Sequence, residues 1–144
     1  MVETARHEIQ VETCARRFYG HFNARRFDEA ERMVDPEALF TYPGATQHLI
    51  GRAAYAELAH RWASAFPDGY LTVIAVHVCG DVAVTELRLE GTHDGTLDLP
   101  GVPPFPATHR HAELPVRETI VIHNGLISGV KLDFDPADLG RQLD

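Results

Sequence analysis

The fold is decided by the stretch VRETIVIHNGLISGVKLDFDP, residues 116–136. Side chains in its first half alternate between an apolar set and a more polar set, which is the two-residue period of a β-strand. Asn124-Gly125 comes next, and this dipeptide favours a tight hairpin turn because both residues tolerate positive φ. The sequence therefore predicts a strand from about Thr108 to His123, paired with an antiparallel strand from Leu126 to Asp135.

The rest of the chain supplies helices first and a hairpin afterwards. Apolar residues recur every three or four positions in the first part, which predicts amphipathic helices; farther on the period falls to two. The predicted elements are helices over Glu3–Asn23, Phe27–Val34 (stopped by Pro36) and Ala54–Phe66, strands over Ala38–Tyr42, Tyr70–Cys79 and Val82–Thr92, and a helix that starts near Pro136. A proline-rich loop, Asp94–Pro106, cannot join a sheet and could rim a pocket.

This order of elements predicts an α+β fold. We expect a cone-shaped, curved sheet, antiparallel or mixed, with the N-terminal helices packed over it to enclose an apolar pocket. The 144 residues, 44% of them hydrophobic, suit one domain over 1–144. The strand Tyr70–Cys79 has apolar side chains on both alternating sets, which we interpret as a sheet covered by helices on one face and by a partner subunit on the other. A homodimer is therefore expected.

The charge balance bears on partners and compartment. Thirteen Lys and Arg against 21 Asp and Glu give a formal charge of −8, whereas nucleic acid or an anionic membrane requires clustered positive charge. No apolar run approaches the ~20 residues that span a bilayer, and the acidic start does not resemble a secretion signal. Two cysteines, Cys14 and Cys79, suit a reducing compartment. We expect a cytoplasmic protein without nucleic-acid or membrane partners.

The apolar set of the 108–123 strand contains one acid. Glu118 alternates with Val116, Ile120 and Ile122, so its carboxyl is expected to share a face with aliphatic side chains. Loss of hydration raises the pKa of such a carboxyl and makes it a candidate proton donor or acceptor near neutral pH. Alternatively, Glu118 lies at a strand end or pairs with a neighbouring Arg, and its role is structural.

Aromatic residues could line the same interior. Tyr19 and Phe22 lie on the buried stripe of the first predicted helix, Tyr42 on the first strand, and Trp62 on the stripe of the third helix. For each of them taken alone, an ordinary core position is the favoured interpretation, since large aromatics dominate protein cores. Tyr19 and Trp62 have polar tips that need a partner when buried, so they could hydrogen-bond a carbonyl or an enolate.

Two aspartates near the end of the chain are candidate auxiliary groups. Strict alternation places Lys131 and Asp133 on the face opposite Leu132, but Asp135 precedes Pro136, where the strand should bend and alternation should fail. Either aspartate could reach the mouth of the pocket. Either could instead cap the helix that starts near Pro136, and capping is the better interpretation for Asp135.

The histidines raise the possibility of a metal site. His109 and His111 have the one-residue gap that points two imidazoles the same way on a strand, Glu113 belongs to the same set, and His123 is the only later histidine. A metal site needs at least one further ligand nearby in space. We interpret these residues as solvated loop histidines and predict no metal.

Several short strings stand in a recognisable order. They are Phe66-Pro67-Asp68, Gly80-Asp81, Gly91-Thr92-His93-Asp94-Gly95, Pro103-Pro104, Asn124-Gly125-Leu126-Ile127, Asp135-Pro136 and Gln142-Leu143. In this order and spacing the chain resembles the SnoaL-like polyketide cyclases, of the nuclear-transport-factor-2-like superfamily. The resemblance implies a dimer, an apolar cone and no cofactor. It also implies acid/base ring closure or isomerisation of a small polyketide or terpenoid-like substrate.

The resemblance carries over to the site residues in part. The family's aspartate after the final hairpin turn matches Leu132 here; a one-residue bulge would bring Asp133 into that register, and a later family aspartate matches Asp135. The family's polar residue on the preceding strand matches Glu118, and a pocket aromatic matches Phe22. Because Leu132 replaces the aspartate, a cycloaddition that needs only shape and a hydrogen bond is slightly favoured over aldol closure.

The sequence thus predicts a cofactor-independent cyclase or isomerase of natural-product biosynthesis. The expected catalytic residues are Glu118, Tyr19, Asp133 and Asp135, and the expected substrate contacts are Trp62, Phe22, Tyr42 and Leu132. One alternative is a protein that binds an apolar metabolite without changing it. Another is an epoxide hydrolase, which would need Glu118 and Asp133 both inward around a water molecule.

Overall fold

The computed structural model describes residues 2–144, and its main elements follow the predicted order. The helices are α1 (Val2–Asn23), α2 (Phe27–Arg32), α3 (Arg52–Ala65) and α4 (Pro136–Leu143). The strands are β1 (Val34–Thr41), β2 (Leu49–Ile50), β3 (Tyr70–Cys79), β4 (Val82–Thr92), β5 (His111–His123) and β6 (Leu126–Asp133). Helices α1 and α3 pack against the sheet that these strands form.

The six strands form one mixed, open sheet in the order β2-β1-β6-β5-β4-β3. Neighbouring strands are antiparallel except β1 and β6, which run parallel. Asn124 and Gly125 turn the chain between β5 and β6 with φ angles of 52° and 77°, the backbone geometry that an Asn-Gly hairpin turn requires. The predicted α+β fold, with N-terminal helices packed on a curved sheet, is confirmed.

A β-bulge explains why β3 has apolar residues on both alternating sets. The pairing of β3 with β4 shifts between Val73 and Ala75, which leaves Ile74 as an extra residue. The apolar side chains on either side of the bulge pack against the same core; they are Leu71, Val73, Val76 and Val78. Ile74 itself is 57% exposed. The interpretation of two covered faces is thus corrected, and the homodimer stays a prediction.

Strand β1 begins earlier than the sequence predicted. The helix expected to reach Val34 ends at Arg32, and Val34 instead pairs with Ile127 of β6. Pairing then lapses around Pro36, which has no N–H to donate, and resumes at Leu39. Local periodicity does not reveal this strand because its partner lies almost a hundred positions farther along the chain. The two-residue strand β2, which pairs with β1, is likewise absent from the prediction.

The hairpin strands are slightly shorter than predicted at their outer ends. Strand β5 begins at His111 rather than Thr108, because His109 has a φ of 60°, outside the range of strand residues. Strand β6 ends at Asp133 rather than Asp135, because the chain turns there into α4. These changes leave the pairing around the Asn-Gly turn as predicted.

The core lies between the inner face of the sheet and helices α1 and α3. Small residues on α3 (Ala54, Ala59 and Ala65) are buried and permit close approach to the sheet. The largest fully buried hydrophobic side chains are Phe66, Leu97, Leu114, Ile120, Ile127 and Leu139. Two of the proline-rich loop's own residues, Leu97 and Leu99, are also 2% exposed, so this loop packs as part of the core.

Arg25 ties the helical layer to the turn between α3 and β3. Its backbone is left-handed, with φ of 60°. Its guanidinium donates hydrogen bonds to the carbonyls of Phe22, Phe66, Pro67 and Gly69 at 2.7–3.3 Å. A planar cation with five N–H donors suits several converging carbonyls, which a lysine could not satisfy in the same way. The position of the end of α3 therefore depends on this side chain.

We expect Arg25→Ala to lower the free energy of unfolding by about 2–3 kcal/mol, because four backbone carbonyls lose a charged donor. For a chain of this size that corresponds to a fall in Tm of roughly 6–12 °C in a thermal melt. The control is Arg32→Ala, an exposed arginine on α2, which should shift Tm by less than about 2 °C. Equal Tm values for the two variants would contradict the role of Arg25.

Candidate active site

A cavity lies between the inner face of the sheet and helices α1 and α3. It measures about 110 Å³, counted as the space open to the centre of a water molecule. Its wall is almost entirely aliphatic and aromatic. The lining residues are Phe18, Tyr19, Phe22, Phe40, Thr41, Tyr42, Tyr55, Leu58, Ala59, Trp62, Leu71, Leu87, Leu89, Val116, Glu118, Val130 and Leu132. Such a wall suits a small, largely apolar molecule.

Glu118 carries the one carboxyl among the lining residues. Strand pairing places it directly between Thr85 of β4 and Leu132 of β6, so this row of side chains points to the same face. The adjacent Arg117 lies on the other face and approaches Glu86 at 3.5 Å. Within residues 2–144 no cationic group pairs with the Glu118 carboxyl, so the ion-pair alternative is not observed.

Burial changes the ionisation of this carboxyl. It raises the pKa of Glu118 from 4.5 to about 7, and the hydroxyl of Tyr19 has a smaller opposing effect. Desolvation dominates because apolar side chains surround the charged oxygens on the sides that do not face the cavity. Near neutral pH both protonation states are therefore populated, which is the condition for a group that both accepts and donates a proton.

Three buried hydroxyl groups accompany the carboxyl. They belong to Tyr19 of α1, Tyr55 of α3 and Thr85 of β4, and none has a hydrogen-bond partner in the part of the chain described. Tyr19 lies near enough to Glu118 and Thr85 for each to alter its pKa, although no pair reaches hydrogen-bond geometry. A buried hydroxyl without a partner costs roughly 1–3 kcal/mol. The cluster therefore favours a ligand or water that supplies partners.

Both tyrosines remain protonated at neutral pH. Burial, and to a lesser extent the negative charge of Glu118, raises the pKa of Tyr19 and of Tyr55. Each phenol is consequently a hydrogen-bond donor beside a carboxyl that can exchange a proton. This combination can polarise a carbonyl and move a proton on the carbon next to it.

Six of the predicted site residues line the cavity. They are Tyr19, Phe22, Tyr42, Trp62, Glu118 and Leu132. Trp62 is held by Phe66, stacked at 6.3 Å between ring centroids, and by Phe134, edge-on at 5.6 Å. The hydroxyl of Tyr42 donates to the carbonyl of Pro100, so only its ring is free to contact a ligand. The catalytic or binding role of these residues stays a prediction.

The structure does not bring Asp133 and Asp135 to the cavity. Asp133 lies beside Lys131 at 3.9 Å, on the outer face, and its side chain is 48% exposed. From Gly129 to Asp133, β6 pairs with β5 without a shift. The bulge lies nearer the turn, where the pairing shifts between Val121 and Ile122, so Asp133 is not turned inward. Asp135 caps α4 by accepting a hydrogen bond from the Ala137 N–H at 3.0 Å. The expectation that either aspartate reaches the pocket mouth is corrected, while the capping of α4 is confirmed.

His111 contributes to a cluster of possible metal ligands on the outer face of the sheet. Its Nε2 lies 3.8 Å from a carboxylate oxygen of Glu90 and 3.9 Å from one of Glu113. His109 remains in the loop, 73% exposed, beside Asp94. Because residues next to one another on a strand face opposite sides, Glu90 points away from the cavity that Leu89 lines. The absence of a bound metal stays a prediction.

Sequence reasoning did not single out Tyr55 and Thr85. Tyr55 belongs to the apolar stripe of α3, where it is indistinguishable from a core residue. Thr85 occupies an otherwise apolar set on β4 between Ala83 and Leu87. The sequence signal that could have identified Thr85 was a hydroxyl side chain in an otherwise apolar alternating set, because such a group needs a hydrogen-bond partner when it is buried. Only the pairing of β4 with β5 shows that Thr85 lies opposite Glu118, and only the packing of α3 shows that Tyr55 lines the same cavity.

A family model described as the SnoaL-like domain matches residues 15–130, most of the chain. The chain belongs to the SnoaL-like domain family. This confirms the resemblance that the sequence strings indicated. No curated protein matches the sequence of this chain. No helix within residues 2–144 combines the length and hydropathy that crossing a membrane requires.

Solved structures share the fold of this SnoaL-like domain. A provisionally assigned SnoaL-like polyketide cyclase from Jannaschia sp. CCS1 is 18% identical with a TM-score of 0.82, over 95% of this chain and 93% of that one. IdmH from Streptomyces antibioticus, a provisionally assigned polyketide cyclase, is 23% identical with a TM-score of 0.74, over 93% and 98%. An LEH-like epoxide hydrolase from M. tuberculosis is 13% identical with a TM-score of 0.72, over 94% and 90%. At these identities the likeness shows the fold alone.

The raised pKa of Glu118 predicts a pH-dependent stability difference for Glu118→Gln. Below pH 4.5 the carboxyl is protonated in both the folded and the unfolded wild-type chain, and burial carries no charge penalty. Between pH 4.5 and about 7 only the unfolded chain releases its proton, so wild-type stability falls, by roughly 3 kcal/mol in total above pH 7. Glu118→Gln should therefore melt several degrees above wild type at pH 8 and close to it at pH 4.5.

The matched control for this measurement is Glu86→Gln, the same substitution on the outer face of β4, where the carboxylate is 45% exposed. Its difference in Tm from wild type should stay nearly constant over the same pH range. The measurement is a series of thermal melts from pH 4.5 to 8. A Glu118→Gln variant that melts clearly lower than wild type at pH 8 would show that the carboxylate is stabilised in the folded chain.

Proposed function

We propose that this SnoaL-like domain is a cofactor-independent acid/base enzyme that closes a ring or shifts a double bond in a small apolar molecule, a polyketide or terpenoid-like compound. The observation that supports this most directly is the Glu118 carboxyl. It has a pKa of about 7, lines an apolar cavity and has no cationic partner among the described residues. The proteins of similar fold that are provisionally assigned as polyketide cyclases are consistent with this substrate class.

In the proposed reaction the Glu118 carboxylate removes a proton from the carbon next to a substrate carbonyl. The electron pair of that C–H bond forms an enolate, whose oxygen accepts a hydrogen bond from Tyr19. For ring closure the enolate carbon attacks a second carbonyl of the same molecule, and the new alkoxide takes the proton from Glu118. For isomerisation the proton returns to a different carbon. In both cases atoms and electrons balance within the substrate.

A cycloaddition uses the same geometry with less proton transfer. Protonated Glu118 and Tyr19 donate hydrogen bonds to a carbonyl and so lower the energy of the bond-forming transition state. The aromatic wall, including Phe22, Tyr42 and Trp62, holds a flexible chain in a reactive conformation. Leu132 supports this version, because it is an apolar side chain of the cavity wall at the position where the family resemblance implies an aspartate for aldol closure.

An epoxide hydrolase is less well supported, although one protein of similar fold bears that name. Activation of a water molecule by paired carboxylates would require a second inward acid beside Glu118. Asp133, the candidate for that role, lies on the outer face beside Lys131. Among the residues described, Glu118 is the only acid lining the cavity.

We also propose that the enzyme acts in the cytoplasm as a homodimer. The exposed residues Tyr70 and Ile74 on β3, 46% and 57% exposed, support a second copy packing near this edge of the sheet. Light scattering should then give twice the chain mass of 16.0 kDa. A mass equal to one chain at micromolar concentration would contradict the dimer without affecting the proposed chemistry.

The proposed proton transfer can be tested with 2-tetralone, a small apolar ketone with acidic protons next to its carbonyl. We expect the wild-type protein to accelerate exchange of these protons for deuterium in D₂O, measured by NMR. Glu118→Gln should lose about 10²–10⁴-fold of the acceleration, because the positioned base is removed. Glu86→Gln should exchange at the wild-type rate. Binding of 2-tetralone without any exchange would favour the binding-protein alternative.

A genetic experiment tests the reaction on the natural substrate. In the organism that carries the gene, deletion should cause the uncyclised or unisomerised precursor to accumulate, detected by mass spectrometry. Wild-type protein should restore the product and Glu118→Gln should not. Restoration of the product by Glu118→Gln would exclude Glu118 as the acid/base group. An unchanged product profile after deletion would overturn the proposed function.

A further inference from the structure

Two tyrosines from different helices line the same cavity, and each has a buried hydroxyl without a hydrogen-bond partner in the described chain. Tyr19 comes from α1 and Tyr55 from α3, and both residues line the cavity. They are 3% and 7% exposed, and neither hydroxyl has a hydrogen-bond partner anywhere in residues 2–144. Buried hydroxyls almost always have a partner, so a pair without one indicates a place where a ligand or bound water supplies the acceptor.

The ring of Tyr55 is fixed by its neighbours. Its centroid lies 4.9 Å from that of Phe18 and 6.2 Å from that of Phe40. Phe18 in turn packs against Tyr19 at 6.1 Å, so one aromatic group connects the two phenols. Because neighbouring rings pack against it, the Tyr55 ring is fixed in place, and its hydroxyl has no hydrogen-bond partner in the described chain. A ligand oxygen that reached this hydroxyl would meet a preorganised donor.

Both phenols share the cavity wall with Glu118, the one acid among its lining residues. The charge of Glu118 contributes to the raised pKa of Tyr19 and of Tyr55, although burial is the larger cause for each. Both hydroxyls therefore keep their protons and act as donors.

Thr85 supports this arrangement from outside the cavity. Its side chain is fully buried on β4, directly opposite Glu118, and its hydroxyl also lacks a partner. It lies near Tyr19 and is absent from the cavity wall. Thr85 accordingly adds a third buried hydroxyl beside Tyr19 that has no partner among the described residues.

We propose that Tyr19 and Tyr55 form a paired hydrogen-bond donor site for one oxygen atom of the substrate, and that this site selects a neutral ketone end on an otherwise hydrocarbon molecule. This inference rests on the proposed function and specifies its substrate class. A ligand that presents a carboxylate there would meet the charge of Glu118 with no cation on the wall. A ligand without any oxygen would leave both hydroxyls unpartnered.

The test compares a ketone with its hydrocarbon counterpart, 2-tetralone with tetralin. Trp62 is the only tryptophan of the chain and lines the cavity, so its fluorescence reports binding directly. We expect Tyr55→Phe to weaken binding of 2-tetralone about five- to tenfold, the effect of one lost hydrogen bond, and to leave tetralin binding within twofold of wild type. Tyr70→Phe, on an exposed strand residue, should leave both affinities unchanged.

A thermal melt without ligand separates recognition from structure. Because the Tyr55 hydroxyl has no protein partner, Tyr55→Phe should melt at or above the wild-type temperature. An unchanged affinity for 2-tetralone, equal losses for both ligands, or failure of wild type to bind 2-tetralone would each overturn the proposal. Selective loss of ketone binding would support it even if Glu118→Gln proves catalytically silent, so the two proposals can fail separately.

Discussion

The carboxyl of Glu118 faces an apolar cavity with no cation among residues 2–144 to offset its charge, and the surrounding structure accounts for how this is tolerated. Strand pairing fixes the residue between Thr85 and Leu132 on the inner face. Helices α1 and α3 then cover that face and complete the hydrophobic wall. An unpaired buried charge costs several kcal/mol, which the chain avoids near neutral pH by keeping the carboxyl partly protonated.

Glu118 and Asp133 point to opposite faces of the sheet, and this decides whether one or two carboxylates can act in the cavity. Glu118 and Asp133 differ by one step across the hairpin, since Arg117, next to Glu118, is the residue that pairs with Asp133. A continuous register therefore places one acid inside and the other outside. That register is compatible with the proposed acid/base chemistry of a single carboxyl, whereas it does not bring Asp133 beside Glu118 for activation of water between two carboxylates. The shared fold alone would not distinguish these outcomes.

Much of this arrangement could be predicted from the sequence because the signals are local. Alternation and the Asn-Gly turn placed Glu118 on the inner face, and helical stripes placed Tyr19 and Trp62 there. Features that depend on distant pairing could not be predicted: β1 needs its partner β6, and the bulge at Ile74 imitates a second apolar face. The position of Tyr55 on the same cavity wall as Glu118 depends on tertiary packing, for which no local period exists.

The unpartnered hydroxyls at the cavity lower the stability of the folded chain and leave hydrogen-bond donors for a ligand. A ketone whose oxygen accepts from the tyrosine hydroxyls would satisfy groups that the folded chain leaves unpaired, so binding energy is available where the chemistry takes place. The same ligand would displace water from Glu118 and raise its pKa further. Too dry a site would keep the carboxyl protonated and unable to act as a base. The pKa of Glu118 is already about 7. More apolar surface around the carboxyl would raise it further, and less of the group would then be ionised and able to act as a base near neutral pH.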